Sequence, residues 1–281
     1  MNLILRDKAR IAEAVNATTI TLDHAQAQDE SAQGQDCSGL PSHGELQPLV
    51  RSVVEGGGNG GLGYHMWASV VNRDGVVCAV AFSGPDRDNQ WPGSRLISAQ
   101  KAYTANAFSQ PPDGIGGGPG GLFQGLSLST ANLFSAVQPG NSLFGLQHSN
   151  PINTPVAYSG DPTLAGTSDD PLVGKTIGGV NVFGGAVALY TSDALIGAVG
   201  VSGDTSSCTD HVISWKMRDG LGLDHIPNGV LPRPSGDNII HDTQGGSPSP
   251  SGFGHPQCVP PATAEAELLP VTHPLGSPAQ P

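Results

Sequence analysis

The sequence predicts an α+β fold in which helices pack against an antiparallel sheet. Two pairs of β-rich segments, each joined by a short polar turn, are typical of β-hairpins, and helical patterns lie before, between and after them. Parallel neighbours need a long crossover connection, whereas antiparallel strands need only a tight turn. Hairpins that alternate with helices therefore favour a layered α+β domain over a doubly wound parallel one.

The two hairpins are predicted from local sequence alone. Residues 64–71 (YHMWASVV) and 76–84 (VVCAVAFSG) flank a turn that ends in Asp74-Gly75, which is a strong hairpin signal. The second hairpin pairs residues 178–190 (GGVNVFGGAVALY) with residues 194–203 (ALIGAVGVSG). Both hairpins alternate β-branched residues with glycine and alanine, as closely packed strands require.

Helices are predicted around these hairpins. Ser42 and Glu45 have the spacing of a capping box at the start of a short helix. The alanine-containing segment 93–109 follows the first hairpin, and residues 206–222 (SSCTDHVISWKMRDGLG) follow the second. Shorter helical stretches are predicted at 7–16 and 127–137.

Three regions follow from this order. Residues 1–40 form a polar arm, and residues 41–222 form the domain, which a long polar loop at 138–178 interrupts. Residues 223–281 form a Pro/Gly/Ser-rich extension that we expect to be mostly irregular.

Composition excludes several partners and compartments. The formal net charge is −12, and no basic patch is evident, so nucleic acid and membrane surfaces are poor partners. No apolar run approaches the roughly 18 residues of a membrane span, and the first apolar run is too short for a signal peptide. We expect a cytoplasmic protein as the sequence is written, or a periplasmic one if disulfides form.

The four cysteines lack the C-x-x-C spacing of a zinc knuckle, so no structural zinc is expected. Their even number allows one or two disulfides. Cys208 with Cys258 is the first choice, because this bond would tie the extension to the last helix of the domain.

Three motifs for nucleophiles or nucleotides fail on inspection. Ser202 lacks the glycine of a nucleophile elbow, because Asp204 occupies that position. A P-loop ahead of Lys175 would need a glycine where Asp169 stands. The dinucleotide-like glycines between 56 and 61 precede a strand instead of joining a strand to a helix. No nucleotide cofactor is therefore expected.

Two histidines are candidate ligand residues. His65 starts the first strand, on the same face as Trp67, and it either contacts a ligand or bonds a nearby carbonyl. His211 lies on the last helix of the domain, on a side separate from an apolar stripe that contains Ile213 and Met217. We expect that stripe to be core.

Charged residues at the two main helices also leave alternatives open. Arg95 and Lys101 share one broad side of the helix at 93–109, either as a carboxylate-binding pair or as two surface cations. Asp204 and Asp210 flank a helix start and are most simply caps. The glycine of Ser202-Gly203 permits close approach to free N–H groups that could receive an anion.

Three segments, in chain order, resemble the GlcG/HbpS-like heme-binding family. They are a Lys-Ala-x-Thr-Ala helix, a Phe-Gly-Gly strand and an Ile-Gly-x-x-Gly-Val-Ser-Gly strand end, and together they cover about residues 44–222. The stretches WPGSR, VQPGNSLFGLQHSNP, GLGLDHIP and SGFGHPQC are similar to a longer subgroup. That likeness implies that the C-terminal extension is part of the structure.

The resemblance implies a profilin-like α/β/α arrangement with a central antiparallel sheet of about five strands. It also implies binding of heme or a related tetrapyrrole, and association into dimers or larger closed oligomers. Carried over by position, it implies a site that includes Lys101, Thr104, Phe183, Gly184, Gly185, Ser202 and Gly203.

A heme pocket needs apolar walls, cations for two propionates and an axial donor. Trp67, Trp91 and Phe183 are candidate walls, and Arg95 with Lys101 is the candidate cation pair. The candidate axial metal ligands are His65, as first choice, and His211.

We therefore expect a heme- or tetrapyrrole-binding protein that is not a catalyst or is only weakly redox-active. One alternative is an enzyme acting on a small carboxylate, recognisable by a small polar pocket lined by Lys101, Arg95 and Asp204. A structural assembly protein is the other alternative, with the same surfaces buried between protomers.

Overall fold

The computed structural model describes residues 37–113, 125–243 and 249–276. The predicted helix at 7–16 and most of the predicted arm lie outside the described residues.

The described residues contain one sheet of four antiparallel strands. The strands are β1 (Trp67–Asn72), β2 (Val77–Phe82), β3 (Ala186–Tyr190) and β4 (Leu195–Ser202), in the order β2-β1-β4-β3. Both predicted hairpins are confirmed, and β1 pairs with β4 in the centre, where Trp67 lies opposite Ser202.

The strand count is four and not about five. The second predicted hairpin began at residue 178, but β3 starts only at Ala186. The backbone before β3 bonds elsewhere: the Asn181 N–H donates to Thr104 Oγ1 at 2.9 Å, away from the sheet. This hydrogen bond holds the segment before β3 against the helix at residues 93–108, so the segment does not lengthen the strand.

Four longer helices surround the sheet. These four are α1 (His43–Glu55), α2 (Gly93–Phe108), α5 (Ser207–Gly220) and α6 (Pro260–Thr272). Two short helices, α3 (Leu146–Ser149) and α4 (Thr154–Ala157), lie between α2 and α5 in the chain. The predicted capping box starts α1, because the Ser42 N–H donates to Glu45 Oε2 at 2.9 Å. Ser206 is the N-cap residue of α5. The stretch predicted at 127–137 forms two 3₁₀ turns.

The helices form layers on both faces of the sheet. On one face, α2 packs Leu96 and its alanines against Trp67 and Ala198. On the other face, α1 and α5 bury Leu46 and Ile213 against the opposite side of the strands. The predicted α/β/α arrangement is therefore confirmed. Association into dimers or larger closed oligomers stays a prediction.

Residues 223–281, which we predicted to be mostly irregular, contain one helix at residues 260–272. They form α6, which begins with two prolines and continues with good helix formers. The helix packs Ala262 and Ala266 beside Val212 of α5, and His273 at its end accepts a hydrogen bond from Trp215 Nε1 at 2.9 Å. This contact buries a second side of α5, in addition to the predicted apolar stripe.

Two disulfides connect distant segments. The predicted Cys208–Cys258 bond is present and joins α5 to the segment ahead of α6. The second disulfide, Cys37–Cys78, joins the residues before α1 to β2. None of the helices within the described ranges has both the length and the apolar character needed to cross a bilayer.

Replacing Gly200 should destabilise the protein strongly, because α2 crosses β4 at this residue. A Cβ at Gly200 would overlap the backbone of Ser98 and Ala102. We expect Gly200→Val to lower the free energy of unfolding by at least about 1–3 kcal/mol, as overpacking does, in denaturant titrations. Gly44→Ala is the matched control, because its nearest new contact is Ser42 Oγ at 3.9 Å. Equal unfolding midpoints for Gly200→Val and wild type would contradict this packing.

Candidate ligand cavity

A cavity of about 490 Å³ opens where the end of β4 meets the start of α5. Its walls come from the first half of α2, the turn between β4 and α5, and the segment 255–259 that leads into α6. The C-terminal extension therefore completes a cavity that the three family-like segments begin.

A buried ion pair lies in the cavity wall. Lys101 Nζ is 2.7 Å from Asp210 Oδ2, and both side chains are 2% exposed. Lys101 also donates to the Val201 carbonyl at 3.2 Å. Burial raises the pKa of Asp210 to about 6, and the charge of Lys101 opposes that rise. The positive charge of Lys101 is thus balanced within the protein.

The two glycines after Phe183 lie too close to their neighbours for a side chain to fit. A Cβ at Gly185, whose φ is +132°, would lie 2.7 Å from Lys101 Nζ and 2.8 Å from Asp210 Cβ. A Cβ at Gly184 would lie 2.6 Å from the Ser207 carbonyl at the start of α5. The Phe-Gly-Gly segment can therefore run directly against the ion pair and the helix.

Asp204 organises the turn that leads into α5. Its carboxylate accepts the Ser206 N–H and the Leu62 N–H, both at 2.8 Å, so it closes the turn ahead of the helix, whose N-cap residue is Ser206 and not Asp204. The Asp204 N–H donates to Asp210 Oδ1 at 3.1 Å, so the turn is also tied to the ion pair. Ser206 lies in the cavity wall, and its buried Oγ has no hydrogen-bond partner among the described residues.

His255 supplies an imidazole to the cavity wall. Its side chain is 3% exposed, and Nδ1 is 2.8 Å from the Pro256 carbonyl. A carbonyl only accepts, so Nδ1 carries the proton and Nε2 has a free electron pair. Nε2 accepts from the Ser207 hydroxyl at 3.2 Å. Burial lowers the pKa of His255 to about 4, which keeps the ring neutral at pH 7.

Apolar side chains surround the cavity and remain open to solvent. Four of them are between 42% and 58% exposed, which is unusual for large apolar residues that lie together. They are Leu62, Trp91, Phe183 and Val259. Phe134 also lines the cavity, and its ring centroid is 5.1 Å from that of His255. The cavity thus combines an apolar rim with a few polar groups deeper in its wall.

The structure brings some predicted site residues together and separates others. Lys101, Phe183, Ser202, Asp204 and the predicted wall residue Trp91 line the cavity. The remaining predicted site residues lie outside the lining that the described residues form: His65, Trp67, Arg95, Thr104, Gly184, Gly185, Gly203 and His211. Of these, Thr104 and the two glycines at 184 and 185 still position the segment that carries Phe183.

The predicted cation pair is not assembled, because Arg95 has another partner. Its guanidinium binds both carboxylate oxygens of Asp170, with Nε 2.8 Å from Oδ2. Asp170 belongs to the long loop at 138–178, which therefore takes Arg95 away from the cavity. The small polar pocket of Lys101, Arg95 and Asp204, expected for an enzyme of small carboxylates, is not formed by these residues.

The predicted axial histidines are also placed elsewhere. His211 is fully buried, and its Nε2 lies 2.9 Å from Asn238 Oδ1. His65 lies beside the Phe82 ring, with Nδ1 3.4 Å from Ser83 Oγ. Trp67 stacks on Phe82 in the core, with centroids 4.5 Å apart. The prediction that His65 starts the first strand is wrong, because β1 begins at Trp67, whose face of the sheet packs against α2.

The sequence did not point to His255, Ser206 or Cys258 as parts of the cavity wall. His255 and Cys258 lie in the stretch SGFGHPQC, which was noted only as a resemblance to a longer subgroup. The disulfide offered a signal, since Cys258 paired with Cys208 must bring residues 255–259 to the start of α5.

Comparisons with known proteins identify the family of this chain. The sequence profile of the family described as haem degrading protein HbpS-like matches residues 49–217. The chain is similar to the structure of protein ORFY of Klebsiella pneumoniae, a DUF336 protein, with 24% identity, a TM-score of 0.38, and coverage of 62% of this chain and 86% of that chain. It is also similar to the structure of a PduOC:heme complex, with 24% identity, a TM-score of 0.37, and coverage of 60% and 86%. The search of curated proteins produced no significant match. Because the matched residues 49–217 make up more than half of the 281 residues, the chain belongs to the HbpS-like family.

Proposed function

We propose that the cavity binds a tetrapyrrole, with heme as the first candidate, and that His255 donates to its metal. The observation that carries this proposal is a buried, neutral imidazole in the wall of a cavity whose rim exposes large apolar side chains. Family membership supports the same ligand class.

The residues present fit such a ligand in three respects. The volume of about 490 Å³ falls within the range of about 300–1,000 Å³ that is usual for ligand cavities. Leu62, Trp91 and Phe183 offer apolar surface for a planar macrocycle. His255 Nε2 offers an electron pair, while its Nδ1–H is held by a carbonyl, as in most protein imidazoles that bind metals.

The acidic groups of the ligand need a different partner from the one predicted. Arg95 is bound to Asp170, and Lys101 is balanced by Asp210. The start of α5 remains, where the Ser206 hydroxyl lacks a partner among the described residues and the helix N-terminus favours negative charge. We assign a propionate group to this end of the cavity. Bound heme iron would supply redox chemistry. The proposed role is binding of the tetrapyrrole, with weak redox activity or none.

Hemin titration tests this proposal. We expect wild-type protein to shift and sharpen the Soret band with a saturating end point. His255→Ala should weaken hemin binding by at least about tenfold and move the Soret maximum, because the axial donor is lost. His65→Ala and the exposed-residue control His148→Ala should leave both quantities unchanged, since neither residue lines the cavity.

A wild-type spectrum that hemin does not change would end the proposal. Equal hemin affinity and equal spectra for wild type and His255→Ala would show that His255 is not the axial ligand. Loss of binding in His65→Ala alone would restore the axial ligand predicted from the sequence.

A further inference from the structure

Three soft or borderline metal donors meet beside the cavity. Cys208, Cys258 and His255 each place one donor atom within 4.8 Å of the other two. Among the described residues, this is the only group of three histidine, cysteine or acidic side chains with that geometry. In the oxidised protein the two sulfurs are bonded to each other and cannot act as thiolate ligands.

The Cys208–Cys258 disulfide is placed to be reduced and to give a stabilised thiolate. Cys258 is partly exposed and lines the cavity, so a small reductant can reach it. Cys208 is the second residue of α5, and its backbone N–H lies 3.2 Å from Cys258 Sγ as donor. An N–H donor at a helix N-terminus favours the thiolate form of a cysteine.

His255 is already oriented as a metal ligand. Its Nδ1–H donates to the Pro256 carbonyl at 2.8 Å, which fixes the ring and leaves Nε2 as the donor. Nε2 has only the Ser207 hydroxyl as a partner in the described residues, at 3.2 Å, and a hydroxyl can turn away without moving the backbone. Backbone carbonyls hold metal-binding imidazoles in the same way.

We propose that reduction of the Cys208–Cys258 disulfide creates a binding site for a borderline-soft divalent cation such as Zn²⁺, held by both thiolates and the His255 imidazole. A dithiol reductant supplies the two electrons: the S–S bond breaks, the dithiol becomes a disulfide, and two cysteine thiols form. The cation then displaces one proton from each thiol.

The required movement is small. In a tetrahedral zinc site the two sulfurs are about 3.8 Å apart, and each is about 3.6 Å from the imidazole nitrogen. The Cα atoms of Cys208 and Cys258 are 6.0 Å apart, and all three donors already lie within 4.8 Å of one another. Three protein ligands leave a fourth coordination position, as in zinc sites that bind water or substrate. The site does not depend on heme binding.

Cobalt binding to the full chain tests this inference. The protein is reduced with a dithiol under anaerobic conditions, freed of reductant, and titrated with Co²⁺ in the absence of hemin. We expect thiolate-to-cobalt charge-transfer absorption, the visible bands of tetrahedral cobalt, and saturation at about one Co²⁺ per chain that Zn²⁺ reverses. The matched control is the Cys37→Ser/Cys78→Ser variant, which should bind Co²⁺ as wild type does, because Cys37 and Cys78 belong to no group of three histidine, cysteine or acidic donors among the described residues.

Three results would overturn the inference. The first is equal cobalt absorption in oxidised wild-type protein, and the second is no tetrahedral spectrum in reduced wild type. The third is an unchanged titration for reduced His255→Ala, which keeps both cysteines and so does not rely on the folding of a cysteine variant. Circular dichroism of the reduced protein confirms that the chain is folded during each titration.

Discussion

Replacing Arg218 by methionine is expected to lower the free energy of unfolding by about 3–5 kcal/mol. Arg218 and Asp237 are fully buried, and the guanidinium donates to both carboxylate oxygens, at 2.7 Å and 2.8 Å. Burial raises the pKa of Asp237, but Arg218 and the hydrogen bonds from Arg218 and Ser127 outweigh it and hold the pKa below its usual range. Arg218→Met leaves this carboxylate buried without its cation.

Arg87→Met is the matched control for this prediction. Arg87 and Asp88 form an ion pair at the surface, with side chains 38% and 75% exposed. Such pairs contribute at most about 1 kcal/mol, so the control should unfold close to wild type in denaturant titrations. A similar loss of unfolding free energy for Arg218→Met and Arg87→Met would show that the buried ion pair contributes no more to stability than the exposed one.

Replacing Lys101 by methionine should have an effect of the same size, about 3–5 kcal/mol, because it leaves Asp210 buried and unpaired. Asp210→Asn removes the same charge pair from the other side, because it leaves Lys101 without its charged partner. The double variant should lose less than the sum of the two, by about 0.5–3 kcal/mol, because the two residues are in direct contact. Asparagine keeps an oxygen for the Asp204 N–H, so the turn into α5 is preserved. Strictly additive losses would contradict the ion pair.

The same pair makes stability depend on pH in a defined direction. Burial raises the pKa of Asp210 from 3.8 to about 6. The folded protein therefore binds a proton at Asp210 more tightly than the unfolded chain does. This proton binding stabilises the fold fully below about pH 4, and the stabilisation is lost as pH rises through about 6. Relative to Asp210→Asn, which cannot titrate at this position, wild type should lose free energy of unfolding as pH rises from about 4 to about 6. Parallel curves would contradict the raised pKa.

The elements that the sequence predicted correctly depend on local signals. The Asp74-Gly75 turn and the capping box at Ser42 each act within a few residues, so the first hairpin and α1 could be placed from the sequence alone. Helix α6 was missed because residues around it are rich in Pro, Gly and Ser, which hid a short run of helix formers.

The candidate site was predicted only in part, because its other residues depend on distant contacts. Lys101, Phe183, Ser202 and Asp204 lie near the family-like motifs, and those motifs form the start of the cavity. Arg95 was misplaced because its partner is Asp170, 75 residues away in the long loop. The predicted Cys208–Cys258 disulfide brings His255 to the cavity across 50 residues of chain, but a cysteine pairing does not indicate which neighbouring side chains line a cavity.

Locating the iron in a crystal of the hemin complex tests the central claim most directly. Anomalous scattering at the iron edge should show one peak inside the cavity, within bonding distance of His255 Nε2. A peak beside His65, or one outside the cavity on the protein surface, would contradict the account.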